Sequence, residues 1–106
     1  MLLVNNSKIF SDFLINYDKK VIIDFYADWC GPCKQLTPHL EEFEKKNTDI
    51  IFLKVNIDNE DCNKLTDLYN VSSLPTIIFI NNKVQNDELK IVGLNIDLLN
   101  TNITKL

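Results

Sequence analysis

Tyr26-Ala27-Asp28-Trp29-Cys30-Gly31-Pro32-Cys33-Lys34 is the stretch on which the reading of this chain turns. It follows an apolar, strand-like run, Val21 to Phe25, and opens a helix-like run that ends near Lys46. A Cys-x-x-Cys pair between a strand and a helix is a setting for dithiol redox chemistry. Cys30 is predicted at the helix N-terminus, where free backbone N–H groups and the helix dipole favour negative charge. Thiolate is the nucleophile in disulfide exchange, so that location activates Cys30. Cys33 begins a stripe that Leu36, Leu40 and Phe43 continue at helical spacing, so it points inward. The implied roles are Cys30 attacking and Cys33 resolving the mixed disulfide. Pro32 suits the first helical turn, where a missing N–H costs little. The competing reading is half of a zinc site. Zinc usually takes four ligands, and only Cys62 and His39 remain as further soft donors.

The chain has 106 residues, enough for one domain (1–106) with a real core and too few for two. Its 45% hydrophobic and 25% charged content is that of a soluble globular protein. The net charge of -4, without a basic cluster, argues against nucleic acid as a partner. Three cysteines, two of them in the motif, do not make a disulfide scaffold. Met1 to Asn6 lacks a basic region followed by a long apolar run, and no segment is long enough to span a membrane. The expected compartment is therefore a reducing one, the cytoplasm. The abundance of Asn and Ile says nothing about mechanism.

Leu2 to Val4 reads as a short strand. Asn6 or Ser7 caps a helix carrying Ile9, Phe10, Phe13 and Leu14. Val21 to Tyr26 is apolar on both parities except for Asp24, which suits a central strand covered on both faces. Pro38 lies inside the next helix and should kink it, because the N–H that would bond the Lys34 carbonyl is missing. Ile50 to Ile57 is a strand, Asn59 caps a helix, and Thr76 to Ile80 is a strand. Leu89, Ile91 and Val92 mark a last strand, and Asn95 caps a final helix with Ile96, Leu99 and Ile103 on one face. Alternating strands and helices give parallel pairs with crossovers, and the last two strands form a hairpin. The expected fold is α/β, a mixed five-stranded sheet flanked by four helices. In open sheets of this class, sites lie at the carboxyl ends of strands, where Cys30 falls.

Asp24 shares strand parity with Ile22 and Tyr26, so burial is expected, and desolvation raises the pKa of a buried carboxyl. Lys54, in the neighbouring apolar run, is its candidate partner; the alternative is a strand-end Asp reaching water and a snorkelling Lys. Trp29 is either a packing residue or part of a docking surface. His39 reads better as a helix-surface residue than as a ligand or base. Cys62 shares a stripe with Leu65 and Tyr69, which favours a buried, inert thiol over an exposed regulatory one.

Trp29-Cys30-Gly31-Pro32-Cys33 resembles the active-site signature of the thioredoxin family. Asp24-Phe25, Lys34 and Pro38 stand at family-like positions, and Leu74-Pro75-Thr76 resembles the family's second active-site segment. The resemblance covers nearly the whole chain and implies a single-domain thioredoxin fold with the Val21 strand central. It implies a proton-transfer role for Asp24 toward Cys33, modulated by Lys54, and a redox disulfide Cys30–Cys33. It implies that the Leu74–Pro75 bond is cis, whereas an ordinary X-Pro bond is trans about 95% of the time. Leu74 then offers backbone hydrogen bonds to a bound client strand. Trp29, Gly31, Pro32, Leu74, Pro75 and Gly93 fall at the implied client surface, although Gly93 reads equally well as a turn residue needing positive φ. The implied partners are disulfide-containing client proteins and an NADPH-dependent thioredoxin reductase, with the chain a monomer. No metal or organic cofactor is needed, because the cysteine pair carries the electrons. Gly31-Pro32 resembles reducing members rather than oxidants or isomerases; a binding subunit of a larger complex is the other alternative. One departure stands out. Asn81-Asn82-Lys83 lacks a turn glycine, and Pro75 to Gly93 runs about two residues longer than the family usual, so a bulge or longer loop is expected there.

Overall fold

Val21, Ile22, Ile23 and Phe25 are each no more than 1% exposed, so the strand they form is covered on both faces. Burying each such side chain contributes about 1.5–3 kcal/mol. That strand organises the computed structural model, which describes residues 1–106. In chain order the elements are β1 (Leu2–Leu3), α1 (Ser7–Ile15), β2 (Lys20–Tyr26), α2 (Gly31–Lys46) and β3 (Ile50–Asn56). After a 3₁₀ turn (Glu60–Cys62) come α3 (Asn63–Leu68), β4 (Thr76–Asn81) and β5 (Val84–Gln85). A second 3₁₀ turn (Asp87–Leu89) leads to β6 (Ile91–Val92) and α4 (Ile96–Lys105). The sheet order is β1-β3-β2-β4-β5, with β6 also paired to β4. β1 and β2 run parallel to β3, and β4 runs antiparallel to β2.

Strand parity divides the core in two. Val21, Ile23 and Phe25 pack with Phe10 of α1 and Leu65 of α3. Ile22 packs with Leu36 and Leu40 of α2 and with Leu99 and Ile103 of α4. Helices therefore cover both faces, as the alternation predicts. α2 runs through Pro38. No helix is long and apolar enough to cross a membrane.

Asparagine does much of the local work. Asn6 Oδ1 accepts from the Ile9 N–H at 2.8 Å and Asn95 Oδ1 from that of Leu98 at 3.0 Å, capping α1 and α4. Asn59 and Asn86 accept from Asp61 and Glu88 and cap the two 3₁₀ turns. A side-chain cap of this kind is worth about 1 kcal/mol. The helix expected directly after Asn59 thus begins as a 3₁₀ turn, and α3 proper starts only at Asn63.

The last strand differs in detail from expectation. Leu89 belongs to the second 3₁₀ turn, and only Ile91–Val92 forms a strand, opposite Thr76 and Ile77. Val84–Gln85, which lacks a strand-length pattern, pairs with Ile80 and Asn81 farther along the same edge of β4. The fifth strand position of the sheet is thus one interrupted strand, β5 and β6, with residues 86–90 bulging between them. The turn itself is tight. Asn82 and Lys83 both have positive φ, 52° and 68°, the twist-matched two-residue hairpin that usually takes glycine. The interruption lies after the hairpin, not in its turn.

Candidate active site

Cys30 is the N-cap of α2, with extended backbone (φ -85°, ψ 108°). Its Sγ accepts a hydrogen bond from the Cys33 N–H at 3.2 Å, using one of the helix's free donors. Its carbonyl accepts from Lys34, the first bond of the helix. Pro32 lies in the first turn, so its missing N–H breaks nothing. The sulfurs of Cys30 and Cys33 stand at disulfide-bonding distance, with the Cα atoms 5.3 Å apart. Both residues are largely buried, Cys33 more so, and they cluster with Ala27. They differ in what they face. Cys30 lines a surface groove with Trp29, Gly31 and Pro32 on one side and Leu74 on the other; Cys33 does not reach it. This is the tip-and-stripe arrangement that the helical spacing predicts.

Asp24 is 2% exposed, and its Oδ1 accepts no hydrogen bond from any protein donor. Burial pushes its carboxyl up to about 7, and the Lys54 charge pulls it partway back. Asp24 and Lys54 are register partners across β2 and β3, so both side chains leave the same face. They form no ion pair: the Lys54 Nζ lies 5.9 Å from the centre of the Tyr26 ring. Lys54 therefore acts on Asp24 through space.

The Leu74–Pro75 peptide bond is cis. Pro75 is buried, and its carbonyl accepts from the Gly93 N–H at 2.8 Å. Thr76 Oγ1 donates to the Ser73 carbonyl. Gly93 has φ +94°, a conformation that strains any residue with a Cβ, so the backbone accounts for this glycine. It is tied to Pro75 but does not line the groove. Trp29 is 68% exposed, which excludes a packing role for most of its surface. Its Nε1 donates to Asp58 Oδ2 at 2.9 Å.

Sequence reasoning missed Asp58 and the groove residues Ile57, Val71, Ser72 and Ser73. Ile57 and Asp58 follow the carboxyl end of β3, the sheet end where sites collect, and that signal was legible. Val71 to Ser73 carry none, because only the fold brings them beside Cys30. His39 is exposed on α2. Cys62 is fully buried on the α1–α3 face, where its Sγ contacts the Val4 carbonyl at 3.4 Å. Burial and the Asp61 charge push its thiol up.

The thioredoxin family model matches residues 1–105. Thioredoxin-T of Drosophila melanogaster is 47% identical over 78 residues, 72% of this chain and 48% of that protein. A thioredoxin of Mycoplasmoides gallisepticum is 46% identical over 68 residues, 64% of this chain and 66% of its own length. The chain thus spans about half to two thirds of these curated relatives. Solved structures align over nearly everything. Oxidised mitochondrial thioredoxin 3 of Saccharomyces cerevisiae superposes with TM-score 0.89 at 30% identity, covering 100% of this chain and 95% of that one. Plasmodium falciparum thioredoxin superposes with TM-score 0.88 at 32% identity, covering 99% and 98%. A motif at the head of α2, a cis-proline segment across the groove from it and a match that runs from one end of the chain to the other agree: this chain belongs to the thioredoxin family.

Proposed function

We propose that this chain is a protein-disulfide reductase that cycles Cys30 and Cys33 between dithiol and disulfide. The observation that carries the reading is the position of Cys30 Sγ, which faces the groove and accepts the Cys33 N–H at the head of α2. Negative charge is favoured there, which suits the thiolate that disulfide exchange needs as nucleophile. In the proposed cycle the Cys30 thiolate attacks one sulfur of a client disulfide, and the other client sulfur leaves as thiolate. The Cys33 thiol then gives its proton to the Asp24 carboxylate and attacks Cys30 Sγ, expelling the second client sulfur. Asp24 passes that proton on to the departing client sulfur, and the client thiolate released first takes one from solvent, where the Cys30 proton went. The client thus gains two electrons and two protons, and Cys30–Cys33 is left oxidised. A carboxyl poised at about 7 exchanges protons readily near neutrality, which supports this role for Asp24, with Lys54 setting how readily.

Trp29, Gly31, Pro32 and Leu74 form the client surface on this reading, with Pro75 and Gly93 holding its far side. Residues 1–106 act as one domain and as a monomer. An NADPH-dependent thioredoxin reductase regenerates the dithiol, and the compartment is the reducing cytoplasm. The cycle draws on no metal or organic cofactor. Insulin reduction coupled to NADPH and a thioredoxin reductase tests the proposal. Cys30→Ser should abolish turnover, and Cys33→Ser should trap insulin as a mixed disulfide through Cys30, visible by mass spectrometry. Client attached to another cysteine refutes the assignment of roles. A wild-type protein that binds client without turnover makes it a binding subunit instead.

A further inference from the structure

The segment between β5 and β6 ends at Lys90, whose side chain reaches the sheet face opposite to that of Ile91. Ile91 is buried with Leu99 and Ile103 on the α2–α4 face, so its neighbour Lys90 points toward α3. Its Nζ donates to the Tyr69 carbonyl at 3.1 Å. Tyr69 is the C-cap of α3, and helix-end carbonyls lack a donor within their own helix. From Tyr69 the chain turns through Asn70, at φ 54°, and Val71 N–H returns to the Thr66 carbonyl. The next residues, Val71 to Leu74, form the groove wall that faces Cys30. That wall ends at Pro75, whose carbonyl accepts from Gly93. Both ends of the wall are therefore tied to the same stretch of chain, residues 90–93. Lys90 itself has a fixed base, because Leu89 is buried and its carbonyl accepts from the buried Asn102 amide at 2.9 Å.

We propose that Lys90 is a positioning residue for client binding, its ammonium clasping the Tyr69 carbonyl so that the Val71–Leu74 wall is held in place opposite Cys30. The proposal rests on the reading that protein clients dock in this groove. An ordered wall costs a client less on binding than one it must order itself. Lys90 touches neither cysteine, so losing the clasp should weaken docking without slowing the exchange step.

The test compares wild type with Lys90→Met, which keeps most of the stem and loses the donors, and with Lys90→Arg, which keeps a cationic donor. With insulin as the client, KM should rise about fivefold in Lys90→Met while kcat holds, a loss of the size that one intramolecular hydrogen bond contributes. Lys90→Arg should restore KM. Amide hydrogen exchange should accelerate at Val71 to Leu74 in Lys90→Met and stay unchanged in β2. An unchanged KM, equal falls in kcat and kcat/KM, or failure of Lys90→Arg to restore KM overturns the proposal. Wild-type protein that leaves insulin intact defeats the reductase reading itself. In that event the exchange data still decide the clasp, and unaltered exchange at Val71 to Leu74 overturns it.

Discussion

Replacing Asp24 with Asn should turn a pH-dependent cost of folding into a constant one. The carboxyl is 2% exposed, has an oxygen without a protein donor, and is raised by burial from 3.8 to about 7. Below pH 3.8 it is protonated in both the folded and the unfolded chain and contributes no pH dependence. As pH rises from there toward 7, the unfolded chain has lost the proton while the folded chain keeps it. The folded state then binds more protons, so stability falls across that window and levels off above it. At about 1.4 kcal/mol per tenfold, the loss is on the order of 4 kcal/mol. Asn carries no proton to lose. Its own constant hydrogen-bonding cost cancels when the two proteins are compared across pH, as do all groups that they share. Urea unfolding of both oxidised proteins from pH 4 to pH 8.5 measures the effect. The stability of Asp24→Asn minus that of wild type should grow by on the order of 4 kcal/mol and then flatten. A difference that stays constant to within about 1 kcal/mol refutes the reasoning, since the buried carboxyl would then titrate as it does in the unfolded chain.

Lys54→Met should move the same stability step to higher pH, because the Lys54 charge is what pulls the Asp24 carboxyl down. NMR titration of the Asp24 carboxyl carbon reads this directly, and a downward move would contradict it. Lys83→Gly should stabilise the fold by about 0.5–1 kcal/mol, because Lys83 has φ 68° in the hairpin turn. A lowered melting temperature would mean that the lysine side chain contributes more than its backbone costs. Cys62 should resist thiol labelling in the native, reduced protein and react only on unfolding, being fully buried with its thiol pushed up. Rapid native labelling there, followed by mass spectrometry, would favour a regulatory thiol.

The redox motif and its orientation were legible because they depend on local rules. Helical periodicity from Cys33 to Leu40 put one cysteine inward and left the other at the cap, and strand parity put Asp24 inside. The cis bond at Leu74–Pro75 came from the family resemblance alone, since local preference favours trans. The last strand begins at Ile91 and not at Leu89, which is buried from a 3₁₀ turn; burial by itself does not distinguish a turn from a strand. The caps at Asn6, Asn59 and Asn95 were legible as Asn before a periodic run, whereas Asn86 caps a 3₁₀ turn that no periodicity announces.

By itself the sequence determined what periodicity and local chemistry reach: a strand covered on both faces, the helices on either side of it, and a cysteine pair at the head of one of them. The tertiary structure alone decided which distant residues meet. Lys54 lies over the Tyr26 ring instead of pairing with Asp24, and Trp29 bonds Asp58 across 29 residues. Val71 to Leu74 face Cys30, and Lys90 crosses the sheet edge to Tyr69. Periodicity repeats within one element, whereas these contacts join side chains from different elements. Their distances are set by sheet order, register and where each loop ends, and no single segment carries that information.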